Sequence, residues 1–379
     1  MSTKMKIWLS LVLVAALVVS FGFGYSLGSV ATPSGAAFAS IEQAWNIILS
    51  DYVEPDKIDV DRLSQAAIEG MLEALDDPYT TYLDIEAYLF SLEALEGEFE
   101  GIGAMVSMNE DDQIEIIAPL ANSPAAEAGI QPGDVILGID GESTEGMDLY
   151  EAILKIRGPE GTSVSLLILH TDDTEPVEIV IVRGVIELDS VYLEMRDDIA
   201  CITITEFNEH TSAELAPVLE DIESAGASGI VLDLRSNPGG LLSAVVDVAS
   251  RFLDEGVTVV SVRDNKGNIE TTKSNRQDIT TDLPLVVLVD EYSASGSEVL
   301  AGALQDHGRA TIAGAVTYGK GGVNHLIQLA DGSGIYITTA RWLTPDGRLI
   351  EGEGITPDIE LEIVGEEAIQ WAIDYLHSS

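Results

Sequence analysis

The chain has 379 residues, room for about two or three domains, and 46% of them are apolar, which excludes wholesale disorder. Its net charge is −47, from 18 basic and 65 acidic residues. That balance excludes a phosphate-tracking surface for nucleic acid and a basic patch for anionic lipid.

Lys4 and Lys6 precede residues 7–30, which carry no charge. At about 1.5 Å per residue this run is long enough for a hydrocarbon core of about 30 Å. It predicts a transmembrane anchor, with the lysines inside and the body outside the cytoplasm. A cleaved signal peptide is the rival, because Ser29-Val30-Ala31 resembles a small-residue cleavage site. Residues 32–37 read as a Pro/Gly/Ala linker. Two helices are expected next: Ile41, Trp45, Ile48, Leu49 and Tyr52 share one face, as do Leu63, Ala67, Met71 and Leu72. This arm, residues 38–96, is expected to serve packing or dimerisation.

From about Gly97 the pattern shifts to short strands and turns. Strands are expected over 102–106, 113–117, 135–139, 164–169 and 177–182, with short helices at 125–128 and 148–156. The order suggests a small, partly open barrel over residues 97–186. Residues 187–379 then alternate strands (199–205, 229–234, 257–262, 284–290) with helices (212–224, 241–253, 298–306). Such alternation predicts an α/β core with a largely parallel sheet and a site at the strand carboxyl ends, closed by a helix over 366–377. Cys201, the lone cysteine, alternates like a buried strand residue and leaves no intrachain disulfide. The five histidines lack metal-ligand spacing, so neither metal nor cofactor is expected.

Two segments carry chemistry. Tyr292-Ser-Ala-Ser-Gly-Ser-Glu298 follows the apolar run Pro284-Leu-Val-Val-Leu-Val-Asp290. A serine at such a strand-to-helix turn meets the positive end of the following helix, which favours a developing oxyanion. Ser293, Ser295 and Ser297 compete for that role, and all three could instead cap the helix. Leu232-Asp-Leu-Arg-Ser-Asn-Pro-Gly-Gly-Leu241 is a second glycine-rich turn that exposes backbone N–H groups. The base must be a lysine or histidine. Of seven lysines only Lys320, in Thr317-Tyr-Gly-Lys-Gly-Gly-Val323, is flanked on both sides by glycine. Desolvation lowers a lysine pKa enough for it to take a serine proton, so its site should be dry and free of carboxylates. His307 would lie about 18 Å down the helix from Ser295, too far for contact.

These segments resemble the carboxy-terminal processing (tail-specific) serine proteases. The likeness rests on Ser293-Ala-Ser-Gly-Ser-Glu298, Ala301-Gly-Ala-Leu-Gln-Asp-His-Gly-Arg309, Tyr318-Gly-Lys-Gly321, Thr338-Thr-Ala-Arg341 and Gly354-Ile-Thr-Pro-Asp358. Leu232 to Gly240, Leu75-Asp-Asp-Pro-Tyr79 and Phe99-Glu-Gly-Ile-Gly103 also match, in family order. The resemblance implies a ClpP/crotonase-like α/β protease core with an inserted PDZ domain. It implies Ser295 as nucleophile, Lys320 as general base, and the N–H groups of Gly240 and Gly296 as oxyanion hole. Family members often carry Gln four residues after the lysine to orient it; here Asn324 keeps the amide one methylene shorter. Gly101, Ile102 and Gly103 resemble the carboxylate-binding loop of a PDZ domain, whose peptide adds as a strand. Arg157 matches a basic position that would contact the protease core when a tail binds; the alternative is an ion pair at the rim. The function implied is a PDZ-gated endopeptidase that clips C-terminal tails of exported or membrane proteins, as a homodimer or higher oligomer. The rival is a catalytically impaired, membrane-anchored PDZ scaffold.

Overall fold

The computed structural model describes residues 35–378 except 110, 121 and 172. The expected transmembrane segment lies outside these residues, and among those described no helix is long and apolar enough to cross a membrane. The described chain divides into two compact units at Gly70.

The first unit carries helix α1 (Gly35–Asp51), a 3-10 turn (Pro55–Lys57) and most of helix α2 (Val60–Glu73). The helix α1 begins at Gly35, so residues 35–37 are not linker.

In the second unit strand β1 (Thr81–Leu83) and helix α3 (Ile85–Glu96) lead to β2 (Glu98–Gly101), β3 (Ala104–Met108), β4 (Ile114–Pro119), α4 (Pro124–Glu127), β5 (Val135–Ile139), β6 (Glu142–Ser143), α5 (Leu149–Ile156), β7 (Ser163–Leu169), β8 (Val177–Val182) and β9 (Gly184–Glu187). The order β3-β4-β5-β7-β8 forms one antiparallel sheet, with β6 beside β5, and β2 pairs with β9 to close the segment at its base. Capping explains both helices. Ser123 accepts a hydrogen bond from the Ala126 N–H with Pro124 in the first turn, and Asp148 accepts one from the Glu151 N–H. The alternating strand residues Ile114, Ile116, Ile136, Val164, Leu166 and Ile168 are fully buried beneath these helices.

The protease-like body follows: β10 (Val191–Arg196), β11 (Ile199–Ile204), α6 (Thr211–Ala225), β12 (Gly229–Asp233), α7 (Leu242–Ala249), β13 (Thr258–Asp264), β14 (Ile269–Lys273), β15 (Leu285–Val289), α8 (Gly296–Asp306), β16 (Thr311–Gly314), β17 (Gly322–Gln328), β18 (Gly334–Leu343), β19 (Ile359–Glu360) and α9 (Gly365–Ser378). The main sheet runs β10-β11-β12-β15-β16-β19, parallel throughout except at β10. Every residue of β12 and β15 is buried, as expected of a parallel sheet covered on both faces. The helices α6, α7 and α8 cover one face, and α9 covers the other through Ala368, Ala372 and Ile373.

One strand departs from expectation. The alternation predicts a parallel-sheet strand over 257–262, but β13 belongs to a second, antiparallel sheet with β14, β18, β17 and β1. Its partner β14 reads Ile-Glu-Thr-Thr-Lys and is mostly exposed, so no apolar periodicity announced it. Strand β1 pairs with β18 through Thr81 opposite Tyr336. The chain therefore contributes to the body, leaves it for the β2–β9 segment, and returns.

Candidate active site

Two glycine-bearing turns meet at the carboxyl ends of β12 and β15. The Asn237 side chain is fully buried; its amide donates to the Ile204 carbonyl and its oxygen accepts the Gly239 N–H. Its own carbonyl accepts from the Ala294 N–H and the Ser297 hydroxyl. This single asparagine ties the 237–240 turn to the segment before α8. Ser293 is likewise used for structure: its buried hydroxyl donates to the Leu234 carbonyl. Of the three competing serines, Ser295 alone lines the adjoining cavity, with φ +51° and ψ −107°. Such backbone costs about 1–3 kcal/mol for a residue with a side chain and marks a site where surrounding structure over-determines it.

The glycines are required by space. A Cβ on Gly239 would lie 2.6 Å from the Gly296 nitrogen, and one on Gly296 would lie 3.3 Å from the Gly240 nitrogen. Gly240 has φ +144°, and a Cβ there would collide with the Phe207 carbonyl oxygen. The 239–240 backbone is thus packed closely against Ser295 and Gly296.

Lys320 lines the same cavity, of about 330 Å3, whose walls include Leu83, Phe90, Phe207, Leu326 and Tyr336. Burial pushes the Lys320 pKa below the ordinary lysine value, against an opposing pull from the Glu298 carboxylate. Its Nζ lies 5.6 Å from the ring centroids of both Tyr79 and Tyr336. The site is not carboxylate-free, contrary to the sequence expectation. Glu298, fully buried, accepts hydrogen bonds from the N–H groups of Ser295 (2.8 Å), Gly319 (2.6 Å) and Lys320 (2.9 Å) and from the Thr317 hydroxyl (2.6 Å). It binds the backbones of both candidate residues and joins their turns. Desolvation raises its pKa even so, the four donors pulling the other way. Sequence reasoning missed Glu298, although Ser-x-x-Glu at a helix start is a capping-box signature.

Asn324 sits on β17 with its amide donating to the Tyr79 carbonyl and the Thr338 hydroxyl, both at 3.0 Å. Its Oδ1 is buried with no described partner. His307 caps the far end of α8, its Nε2 2.7 Å from the Thr258 carbonyl oxygen. Cys201 is buried in β11, and burial raises its thiol to about 11. Among the described residues no group of three or more His, Cys, Asp or Glu could hold a metal.

Three family models match the chain. Residues 198–361 match peptidase family S41, residues 94–169 the PDZ domain, and residues 27–87 the activating protease CtpB N-terminal domain. The carboxy-terminal processing protease CtpA of Bacillus subtilis is 38% identical over 371 residues, covering 96% of this chain and 78% of that protein. The carboxyl-terminal-processing protease of Synechocystis sp. is 41% identical over 336 residues, covering 87% and 77%. This chain belongs to the carboxy-terminal processing proteases. It is a serine-type peptidase of family S41 with a PDZ domain. A solved photosystem II D1 C-terminal processing protease matches with a TM-score of 0.50 at 28% identity, over 84% of this chain and 91% of that one.

In this S41 peptidase the loop Gly101-Ile102-Gly103 is not among the residues that line the cavity. Ile102 is buried, its carbonyl accepting from the Ala125 N–H, and Gly103 (φ +70°) has Ser123 where a Cβ would go. Strand β3 follows at an edge of its sheet. Arg157 ends α5 with its guanidinium 4.8 Å from the Phe90 ring centroid and 4.6 Å from that of Phe99. A second pocket, lined by Phe99, Arg157 and Leu188, shares Phe90 and Glu206 with the Ser295 cavity.

Proposed function

We propose that this peptidase cleaves C-terminal tails of exported proteins with a Ser295/Lys320 dyad. The observation that carries the reading is one apolar cavity lined by Ser295, Gly240 and a lysine whose pKa burial depresses. Neutral Lys320 takes the Ser295 hydroxyl proton as Oγ bonds to the scissile carbonyl carbon. The N–H groups of Gly240 and Gly296 hold the oxyanion. As the C–N bond breaks, the Lys320 ammonium gives its proton to the leaving amine. A water, deprotonated by Lys320, then splits the acyl ester and restores Ser295.

The PDZ domain binds the tail by adding it to the β3 edge, with the carboxylate on the N–H groups of the Gly101-Ile102-Gly103 loop. Arg157, held between Phe90 and Phe99, links that domain to the cavity wall. Residues 7–30 anchor the enzyme in the cell membrane with its body outside the cytoplasm. Phe38, Ile41, Ile47 and Val53 in the first unit expose apolar surface suited to self-association, so a homodimer or higher oligomer is expected.

The test is cleavage of an unfolded reporter with an apolar C-terminal tail by the full chain. Wild type and His307→Ala should cut, whereas Ser295→Ala and Lys320→Ala should not. Tail binding without cleavage by wild type would instead favour the scaffold reading.

A further inference from the structure

A half-buried base on a flexible stem needs to be held in place. Lysine has a four-carbon stem and a compact head with three donors, and it carries about 2 kcal/mol of rotamer entropy. Among the described residues no carboxylate forms an ion pair with the Lys320 ammonium. Two rings face it instead, each at 5.6 Å, within the reach of about 6 Å for a cation over an aromatic face. They come from distant parts of the chain, Tyr336 from β18 and Tyr79 from the turn before β1.

The Tyr79 turn is fastened by several hydrogen bonds. Asp77 accepts the Tyr79 N–H (3.1 Å) and the Thr80 hydroxyl proton (2.7 Å). The Thr80 hydroxyl oxygen accepts the Thr338 N–H at 3.1 Å. The Tyr79 carbonyl accepts from the Asn324 amide at 3.0 Å. Both amide protons of Asn324 are thereby spent, on Tyr79 and Thr338. The Asn324 Oδ1, the atom that could accept from the ammonium, has no hydrogen-bond partner among the described residues, so the link from Asn324 to the base runs through the Tyr79 carbonyl.

We propose that Tyr79 is a positioning residue for Lys320, that its ring and that of Tyr336 form an aromatic cradle around the ammonium, and that Asn324 acts on the base through the Tyr79 carbonyl. The inference rests on the Ser295/Lys320 reading and adds a device to it. It also gives a task to Asp76-Asp77-Pro78-Tyr79-Thr80, which the hydrolysis steps leave unused. The groups bearing on Nζ are the Glu298 carboxylate from α8 and the Tyr79 and Tyr336 rings, and Glu206 lines the same cavity. Burial and the neighbouring Tyr318 push the Tyr79 phenol up to about 12, so it stays neutral over the working range. An aromatic face favours the ammonium over the amine, and removing one lowers the pH at which the lysine loses its proton.

The test measures kcat and KM across pH for the full chain with the tailed reporter. Tyr79→Phe keeps the face and should stay within about threefold of wild type. Tyr79→Leu should lower kcat about 10-fold or more, leave KM within about threefold, and move the acid limb of kcat to lower pH. Asn324→Ala should do the same more weakly, and the double variant should be no worse than Tyr79→Leu alone, as for residues acting through one another. Circular dichroism checks the fold of each. If Tyr79→Leu does not fold, Tyr336→Leu supplies the same readout from the opposite face. A folded Tyr79→Leu with wild-type kcat and pH profile overturns the cradle, as does Tyr79→Phe failing as badly as Tyr79→Leu. Cleavage surviving in Lys320→Ala would sink the dyad itself, whereas a dead Lys320→Ala beside a normal Tyr79→Leu sinks only the cradle.

Discussion

Glu298 has no exposed surface and accepts four hydrogen bonds, three of them from the turns that carry Ser295 and Lys320. Glu298→Gln replaces an acceptor-only carboxylate by an amide that must point two donors at other donors. Leaving buried N–H groups unmatched costs about 1–3 kcal/mol, so the variant should melt several degrees lower and lose most of its cleavage rate. A thermal melt and a rate assay check both. The pH dependence has a defined sign. Lys320 acts neutral and its pKa is lowered by burial, so cleavage rises with pH and its acid limb lies below the ordinary lysine value of about 10.4. Glu298 pulls that pKa upward, and its neutralisation in Glu298→Gln should move the limb of the residual activity to still lower pH. At this scale the sequence exposed the serine turn and the glycine-flanked lysine, because both are local patterns. It did not expose Tyr79 facing Lys320, 241 positions away, because nothing local records that approach.

The 237–240 turn is fixed by backbone crossing. Gly240→Ala would force a methyl group into the Phe207 carbonyl oxygen at φ +144°, and Phe207 is itself a buried core residue. The variant should lose more than about 2 kcal/mol of stability, measurable by urea unfolding. A comparable substitution at Gly256, whose Cβ would meet open space, carries only the cost of its φ of +84° and should be the milder of the two. The parallel strands β11, β12 and β15 and the helices between them were legible from alternation and apolar runs. The hairpin of β17 and β18 was not, although it carries Asn324 and Tyr336. Its strands mix Asn, His, Gln and Thr with apolar residues and are half-buried along much of their length, so they lack a period-2 signal. Helix α3 escaped for a different reason: its apolar residues circle the axis instead of forming a stripe, as its sequence Ile-Glu-Ala-Tyr-Leu-Phe-Ser-Leu-Glu-Ala-Leu-Glu makes plain.

Across the molecule, the PDZ domain is an insertion between β1 and β10 of a body whose sheets it does not join. Contacts that bridge them include the Arg157 guanidinium over the Phe90 and Phe99 rings, next to the cavity wall, and the His210–Glu98 pair. Arg157→Ala removes two cation–π contacts of about 0.5–2 kcal/mol each. It should change the dependence of cleavage on the reporter's tail while leaving its melting temperature within a few degrees of wild type. Equal cleavage of tailed and tailless reporters by wild type would contradict the gating part of the account. The measurement that bears most directly on the central claim compares the full chain with Lys320→Ala and His307→Ala on the same tailed reporter. The account predicts cleavage by wild type and His307→Ala and none by Lys320→Ala. Cleavage by Lys320→Ala at the wild-type rate would contradict it.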